Sequence, residues 1–208
     1  MSITTSNTVV TAPASEPVTT AEAKSHLRVT ISTDDTLIGE MITVARDMLE
    51  NYTCRAFINT TFDYFLDAFP SPRFEHGRIH NGRIIEPPVS NLSSVTSVKY
   101  YDTQDALQTL ASSEYLVDSS HEPGRIVEAY ETYWPDTSTR INTVEVRYIA
   151  GYGATAADVP ETLKLAIKML VNHYYDNRSA YNYGDCKLDF VPMGIKSLIY
   201  RYKIQKLS

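Results

Sequence analysis

Cysteine is almost absent from this 208-residue chain: Cys54 and Cys186 are the whole supply. Two thiols that far apart form neither a zinc-ligand cluster nor a disulfide framework, so free thiols in a reducing compartment are expected. Glycine occurs only eight times and builds no phosphate cradle. Gly151, Tyr152 and Gly153 lack both the third glycine of a dinucleotide loop and the Lys-Ser/Thr of a P-loop; they read as the turn from a strand into a helix. No Gly-x-Ser-x-Gly elbow presents a nucleophile. No apolar run is long enough to span a bilayer, and the first residues have neither the basic nor the apolar region of a signal peptide, so no membrane partner is expected. Of the five histidines (His26, His76, His80, His121, His173), only His76 and His80 have a ligand-like spacing. Their segment, residues 74–82, carries two glycines and follows two prolines, so it reads as a loop, and no Glu stands between them as in a zinc-protease helix. Paired acids such as Asp34 and Asp35 fit helix caps better than a catalytic dyad. The expectation is no enzyme: no catalytic residue, no metal and no cofactor.

Acidic charge and tyrosine are what the chain does have. Its net charge is −6, yet residues 190–208 hold four basic side chains (Lys196, Arg201, Lys203, Lys206) and no acid, leaving 15 basic residues against 25 acidic ones before them. Such a body repels DNA and anionic membranes. The basic end suits an acidic surface on a neighbouring protein, or simply a helix end favoured by its dipole. Eight of the 15 tyrosines gather near the C-terminus: Tyr148, Tyr152, Tyr174, Tyr175, Tyr181, Tyr183, Tyr200 and Tyr202. Tyrosine is enriched at protein interfaces, and it also fills ordinary cores and their rims. Stacking on single-stranded nucleic acid needs interleaved basic residues, which are scarce before Lys196.

Along the chain, residues 1–17 are mostly Ser, Thr, Val, Ala and Pro and are expected to be a flexible arm. Thr19 and Glu22 have capping-box spacing, predicting a short helix to about Leu27. Asp34 or Asp35 starts the next helix, with Leu37, Met41, Val44, Ala45, Met48, Leu49 and Tyr52 on its apolar face and an end near Cys54. The middle changes period. Strands are predicted at 61–69, 83–86, 95–101, 106–110, 115–118, 125–129 and 143–149, with close turns that imply antiparallel pairing. Asp158 is expected to cap a third helix with Pro160 and Glu161 in its first turn. That helix is apolar on so many sides that it should be covered on more than one. A final helix places Ile195, Leu198, Ile199 and Tyr202 on one face and basic residues on the other. The fold class is α+β: a helical core of about four helices (residues 18–58 and 154–208) with an antiparallel β-rich insertion (residues 59–153) between the second and third helices.

One ordered set of segments carries a resemblance: PVTTAEAKSHLR at 17–28, residues 34–57 ending in ENYTCRAF, VTSVKYYD at 95–102, YLVD at 115–118, PGRI at 123–126, VEVRYIAGYG at 144–153, VPETLKLAIKMLVNHYYDNR at 159–178 and MGIKSLIYRY at 193–202. Taken together it resembles the head–tail connector (adaptor) proteins of tailed bacteriophages, found also in gene transfer agents. Cys54 departs from the pattern, where a glycine would end the helix, and the basic run at the C-terminus is longer. The resemblance implies a structural virion protein, located in the neck and in the host bacterial cytoplasm during assembly. It implies a homo-oligomeric ring, a dodecamer, beneath the portal protein. DNA passes through the lumen without sequence-specific binding, and a stopper or tail-terminator protein docks below. A tail terminator or stopper of the same particle, and a carbohydrate-binding or -processing module, are the alternatives. The expected portal contacts are Ile195, Lys196, Leu198, Ile199, Tyr200, Arg201, Tyr202, Lys203 and Lys206, in a segment able to order on docking, so that truncation after Val191 should leave the body folded.

Overall fold

The computed structural model describes residues 5–71, 73–75, 78–80, 83–178 and 191–204. In chain order these form β1 (Thr5–Thr11), α1 (Thr20–Leu27), α2 (Asp35–Thr53), β2 (Thr60–Leu66), β3 (Arg73–Glu75), β4 (Arg78–His80), β5 (Ile84–Ile85), β6 (Leu92–Tyr101), β7 (Leu107–Thr109), β8 (Tyr115–Asp118), β9 (Arg125–Glu128), β10 (Val144–Ala150), α3 (Glu161–Asp176) and α4 (Met193–Ile199). Single 3-10 turns occupy Ala156–Asp158 and Tyr200–Tyr202. The architecture is mixed helix and antiparallel sheet, and it divides into two units. One holds β1 and Asn59–Gly151; the other holds Pro13–Ile58 and the chain from Tyr152 onward.

The first unit is built on a five-stranded sheet of order β1-β2-β10-β6-β7, antiparallel throughout. Alternation explains its central strand. Val144, Val146, Tyr148 and Ala150 are buried on one face, and Glu145, Arg147 and Ile149 are half-buried on the other. Leu66, Tyr64 and Phe62 of β2 stand opposite Val144, Val146 and Tyr148, and the Phe62 and Tyr148 rings stack 5.3 Å apart. On the other face Arg147 donates two 2.7 Å hydrogen bonds to the Asp63 carboxylate, a fork that satisfies a buried charge. A second sheet, of order β5-β9-β8, adds buried Ile85, Ile126 and Tyr115 to this unit. Trp134 stacks flat on Phe69 at 4.9 Å and donates its indole N–H to the Arg83 carbonyl.

Two segments of this unit differ from expectation. Residues 5–11, expected within a flexible arm, form β1 along β2, from Thr5 opposite Leu66 to Thr11 opposite Thr61. Every β1 residue is exposed, so a hydrophobicity pattern carries no sign of it, and main-chain pairing and the β-preference of its Thr and Val residues account for it. The expected loop at 74–82 is partly strand: Arg73–Glu75 pairs with Arg78–His80. Two residues separate the strands in sequence, the spacing of a tight hairpin. His80 therefore lies on β4, while His76 lies outside the described residues.

In the helical unit, Thr19 Oγ1 accepts from the Glu22 amide at 3.2 Å and the Glu22 carboxylate accepts from the Thr19 amide at 2.8 Å, starting α1. The α2 helix buries Ile38, Ile42, Ala45, Leu49 and Thr53. Its apolar stripe is wide. Leu37, Met41, Met48 and Tyr52 of the expected face are half-buried, and Val44 is 52% exposed. The helix closes at Cys54 with φ 56°, a left-handed position that glycine takes at least cost. Asp158 does not cap α3. Its carboxylate accepts from the Thr155 amide at 2.9 Å to close the 3-10 turn, and Pro160 stands at the α3 N-cap. In the first unit, where β10 ends, Gly151 has φ 155°, and a Cβ there would meet the Asn59 amide nitrogen at 2.5 Å, so the position admits no side chain. The buried face of α3 is Leu163, Ala166, Ile167, Leu170 and Val171. The helix keeps an open row through Leu165 (39% exposed) and Met169 (36%), so it is less enclosed than its composition suggests.

Candidate functional site

The candidate surface is α4 with the 3-10 turn after it. Spacing decides which side faces inward. Ile195 and Ile199, four apart, are fully buried in the same cluster as Ile38, Ile42, Leu49, Leu163, Ile167 and Leu170. Leu198 and Tyr202 pack partly against that cluster. The face expected to meet a portal is thus committed to the unit's own core. Ile195 and Ile199, expected among the portal contacts, are buried here, because apolar side chains at this spacing are taken first by the nearest core.

The segment is also fixed by hydrogen bonds with the C-terminal end of α2 and the residues just after it. Arg55 Nε donates to the Tyr202 carbonyl at 2.7 Å, and the Ile204 amide donates to the Thr53 carbonyl at 3.4 Å. The Lys203 ammonium lies over the Tyr52 ring at 4.6 Å, and the Arg201 guanidinium over the Tyr202 ring at 4.9 Å. The described part of the C-terminal segment is therefore packed structure. Removing everything after Val191 would take two core isoleucines with it, so the truncation is a test of folding.

What faces outward is a different row: Met193 (80% exposed), Ser197, Tyr200 (60%) and Arg201, at spacings of four, three and one, beside exposed Lys203. Lys196 is half-buried at its margin. Lys206 lies outside the described residues. Met193 and Ser197 were not among the expected contacts. The signal that finds them is the helical period itself: once Ile195 and Ile199 are given to the core, the opposite row follows.

Two polar clusters stiffen this unit. Arg46 gives Nε to Glu16 at 2.8 Å and Nη1 to Glu50 at 2.6 Å, and the other Glu50 oxygen accepts the Phe57 amide at 2.6 Å. Burial pushes the Glu50 carboxyl up, and the Phe57 amide and Arg46 pull it part of the way back. At the start of α2, Asp34 accepts from the Tyr175 hydroxyl at 2.6 Å and from Arg178 Nη2 at 2.9 Å, which ties α3 to α2 and holds the Asp34 carboxyl below its usual range. In the first unit, Arg83 and Glu128 form an ion pair at 3.3 Å in a cleft rimmed by exposed Tyr130 and Tyr133. Among the described residues no three His, Cys, Asp or Glu side chains group to hold a metal, and no helix is long and apolar enough to cross a membrane.

An exposed row that mixes a thioether, a phenol and a guanidinium on a firmly packed helix is the make-up of a surface that meets another protein. The chain belongs to the phage gp6-like head-tail connector protein family, whose model matches residues 18–121. The family match makes the chain a structural virion protein. It is a connector and not an enzyme. Curated protein sequences give no match. Similar solved structures come from gene transfer agent particles. A chain in the neck of an empty particle, computed with C6 symmetry, is 21% identical with a TM-score of 0.75, over 98% of this chain and 97% of that one. A chain in the virion of a native particle is 22% identical with a TM-score of 0.74, over 97% of each. A chain in the native neck computed with C12 symmetry is 21% identical with a TM-score of 0.69, over 98% and 97%. At these identities the likeness is one of fold.

Proposed function

We propose that the chain is a head–tail adaptor: copies close into a ring beneath the portal, lengthen the DNA channel and present the platform on which a stopper or tail-terminator protein docks. The family match over residues 18–121 is the observation that carries this reading. The C12 symmetry of one similar neck supports a dodecamer. The acidic excess outside the last nineteen residues supports a channel wall that repels DNA and so lets it pass. The outward row Met193, Ser197, Tyr200 and Arg201, with Lys203 beside it, is the portal-facing surface in this reading. It replaces the buried isoleucines while keeping Tyr200, Arg201 and Lys203 from the expected set. The test is a variant carrying Met193→Glu, Tyr200→Glu and Arg201→Glu, which leaves Ile195 and Ile199 in place. Binding to purified portal should fall at least tenfold, with the circular dichroism spectrum and melting temperature close to wild type. Unchanged portal binding by this folded variant would remove the surface from the interface.

A further inference from the structure

We propose that β1 is an exchanged strand: in the assembled ring, Thr5–Thr11 of one copy lies along β2 of the next copy, in the ladder it makes here with its own β2. This rests on the ring reading above and names one of its subunit contacts. The first ground is what holds β1 in place. It adds little apolar burial: Val9, opposite buried Phe62, is 59% exposed, and Val10 is 45% exposed. Its attachments include the ladder, a side-chain hydrogen bond between Thr5 and Tyr64, the bond from the Tyr148 hydroxyl to Asn7 Oδ1 at 3.0 Å, and a 3.5 Å bond from Thr8 Oγ1 to the Asp63 carbonyl. A second copy's β1, being identical, reproduces every one of them, so exchange sacrifices no contact.

The second ground is the need of β2. Thr60, Phe62, Asp63, Tyr64 and Leu66 of this strand are buried. Without β1 its outer N–H and C=O groups would form a bare seven-residue edge on the sheet, the kind of edge that recruits another strand. The third ground is the tether. Only residues 12–15 separate β1 from Glu16, whose carboxylate is held by Arg46 at 2.8 Å and Thr43 at 2.9 Å. Four residues reach about 14 Å when extended, so the strand can pass only to a copy seated directly beside its own. A copy that gives one strand and receives one has two different surfaces in use, which is the heterologous contact that closes a ring. Strand addition supplies it through main-chain bonds.

Cross-linking in particles assembled from two variants in equal amounts tests this. One carries Ser6→Cys and the other Phe65→Cys, both with Cys54→Ser and Cys186→Ser. Ser6 stands opposite Phe65 in the ladder, and neither variant can close an internal bond. With random mixing, oxidation should trap about half of the chains as a mixed disulfide dimer on a non-reducing gel. One chain carrying both cysteines should give covalent multimers. The pair Thr11→Cys and Thr61→Cys, also opposed, repeats the test without altering an aromatic residue. Rings of normal size with no mixed dimer, and a doubly substituted chain that closes on itself as a monomer, would overturn the exchange and leave the ring intact. Sedimentation of the same samples keeps the two failures apart: absence of any ring refutes the ring reading and the exchange with it.

Discussion

Leu170 and Leu165 lie on the same helix five residues apart and should respond very unequally to truncation. Leu170 is fully buried against the α2 and α4 core, whereas Leu165 sits on the open row of α3. Leu170→Ala removes three carbons worth about 0.8 kcal/mol each in transfer, or about 2.4 kcal/mol. The cavity left between rigid helices raises the loss to about 3–5 kcal/mol. For a chain of this size each kcal/mol moves the melting temperature by about 2–4 °C, so a fall on the order of 10 °C is expected. Leu165→Ala removes the same atoms where they are partly wet and should cost below about 1 kcal/mol, since Ala is the better helix former. Thermal unfolding followed by far-UV circular dichroism, with urea midpoints as a second measure, compares the two. Equal shifts, or a larger one at Leu165, would show that α3 presents a different face to its core and would displace the assignment of α4 as well.

Two further outcomes follow from the polar clusters. Arg46→Met strands the buried Glu50 carboxylate and should cost about 3–5 kcal/mol at pH 7. Burial already pushes Glu50 up, and loss of Arg46 pushes it further, so the deficit should narrow in denaturant titrations as pH falls toward 5 and Glu50 takes up a proton; a deficit independent of pH would contradict this. Asp34 titrates the other way: the Tyr175 and Arg178 bonds lower its folded pKa, so its contribution is present above the usual Asp value of about 3.9 and is lost as pH drops through the folded value. Asp34→Asn should therefore be less stable than wild type at pH 7, with the gap closing below about pH 4, and an unchanged gap at pH 2.5 would refute the Asp34–Tyr175–Arg178 link.

The parts of the fold legible in the sequence are those with a strong local cause. The Thr19–Glu22 box, the end of α2 near Cys54 and the strand through residues 144–150 are each set by residues within one turn or one strand, and the structure has them where expected. The register of α2 was harder to read because Leu37 and Ile38, and Met41 and Ile42, are adjacent apolar pairs. Periodicity fixes the stripe, but only the core that α3 and α4 supply decides which row of it goes deepest. β1 was illegible for the opposite reason. All its residues are exposed, and its cause is a bare edge on β2, whose paired residues lie 50 to 61 positions away in the chain.

The proposed portal-facing surface differs from the expected one for a related reason. An apolar row on a C-terminal helix has two claimants, the chain's own core and a partner, and the sequence alone weighs them equally. The core wins at Ile195 and Ile199 because it lies within the same unit and carries no cost of association. In the proposed function the partner is left with the opposite row. There Met193 and Tyr200 can stay exposed because they are flanked by Ser197, Arg201 and Lys203, which break the apolar surface into small pieces. A surface so divided binds weakly one copy at a time. A ring repeats it around one axis, so a weak contact becomes a firm attachment once the copies are joined and a reversible one before. In the proposed adaptor ring, the strength of the portal contact is then set by ring closure as much as by the residues of α4.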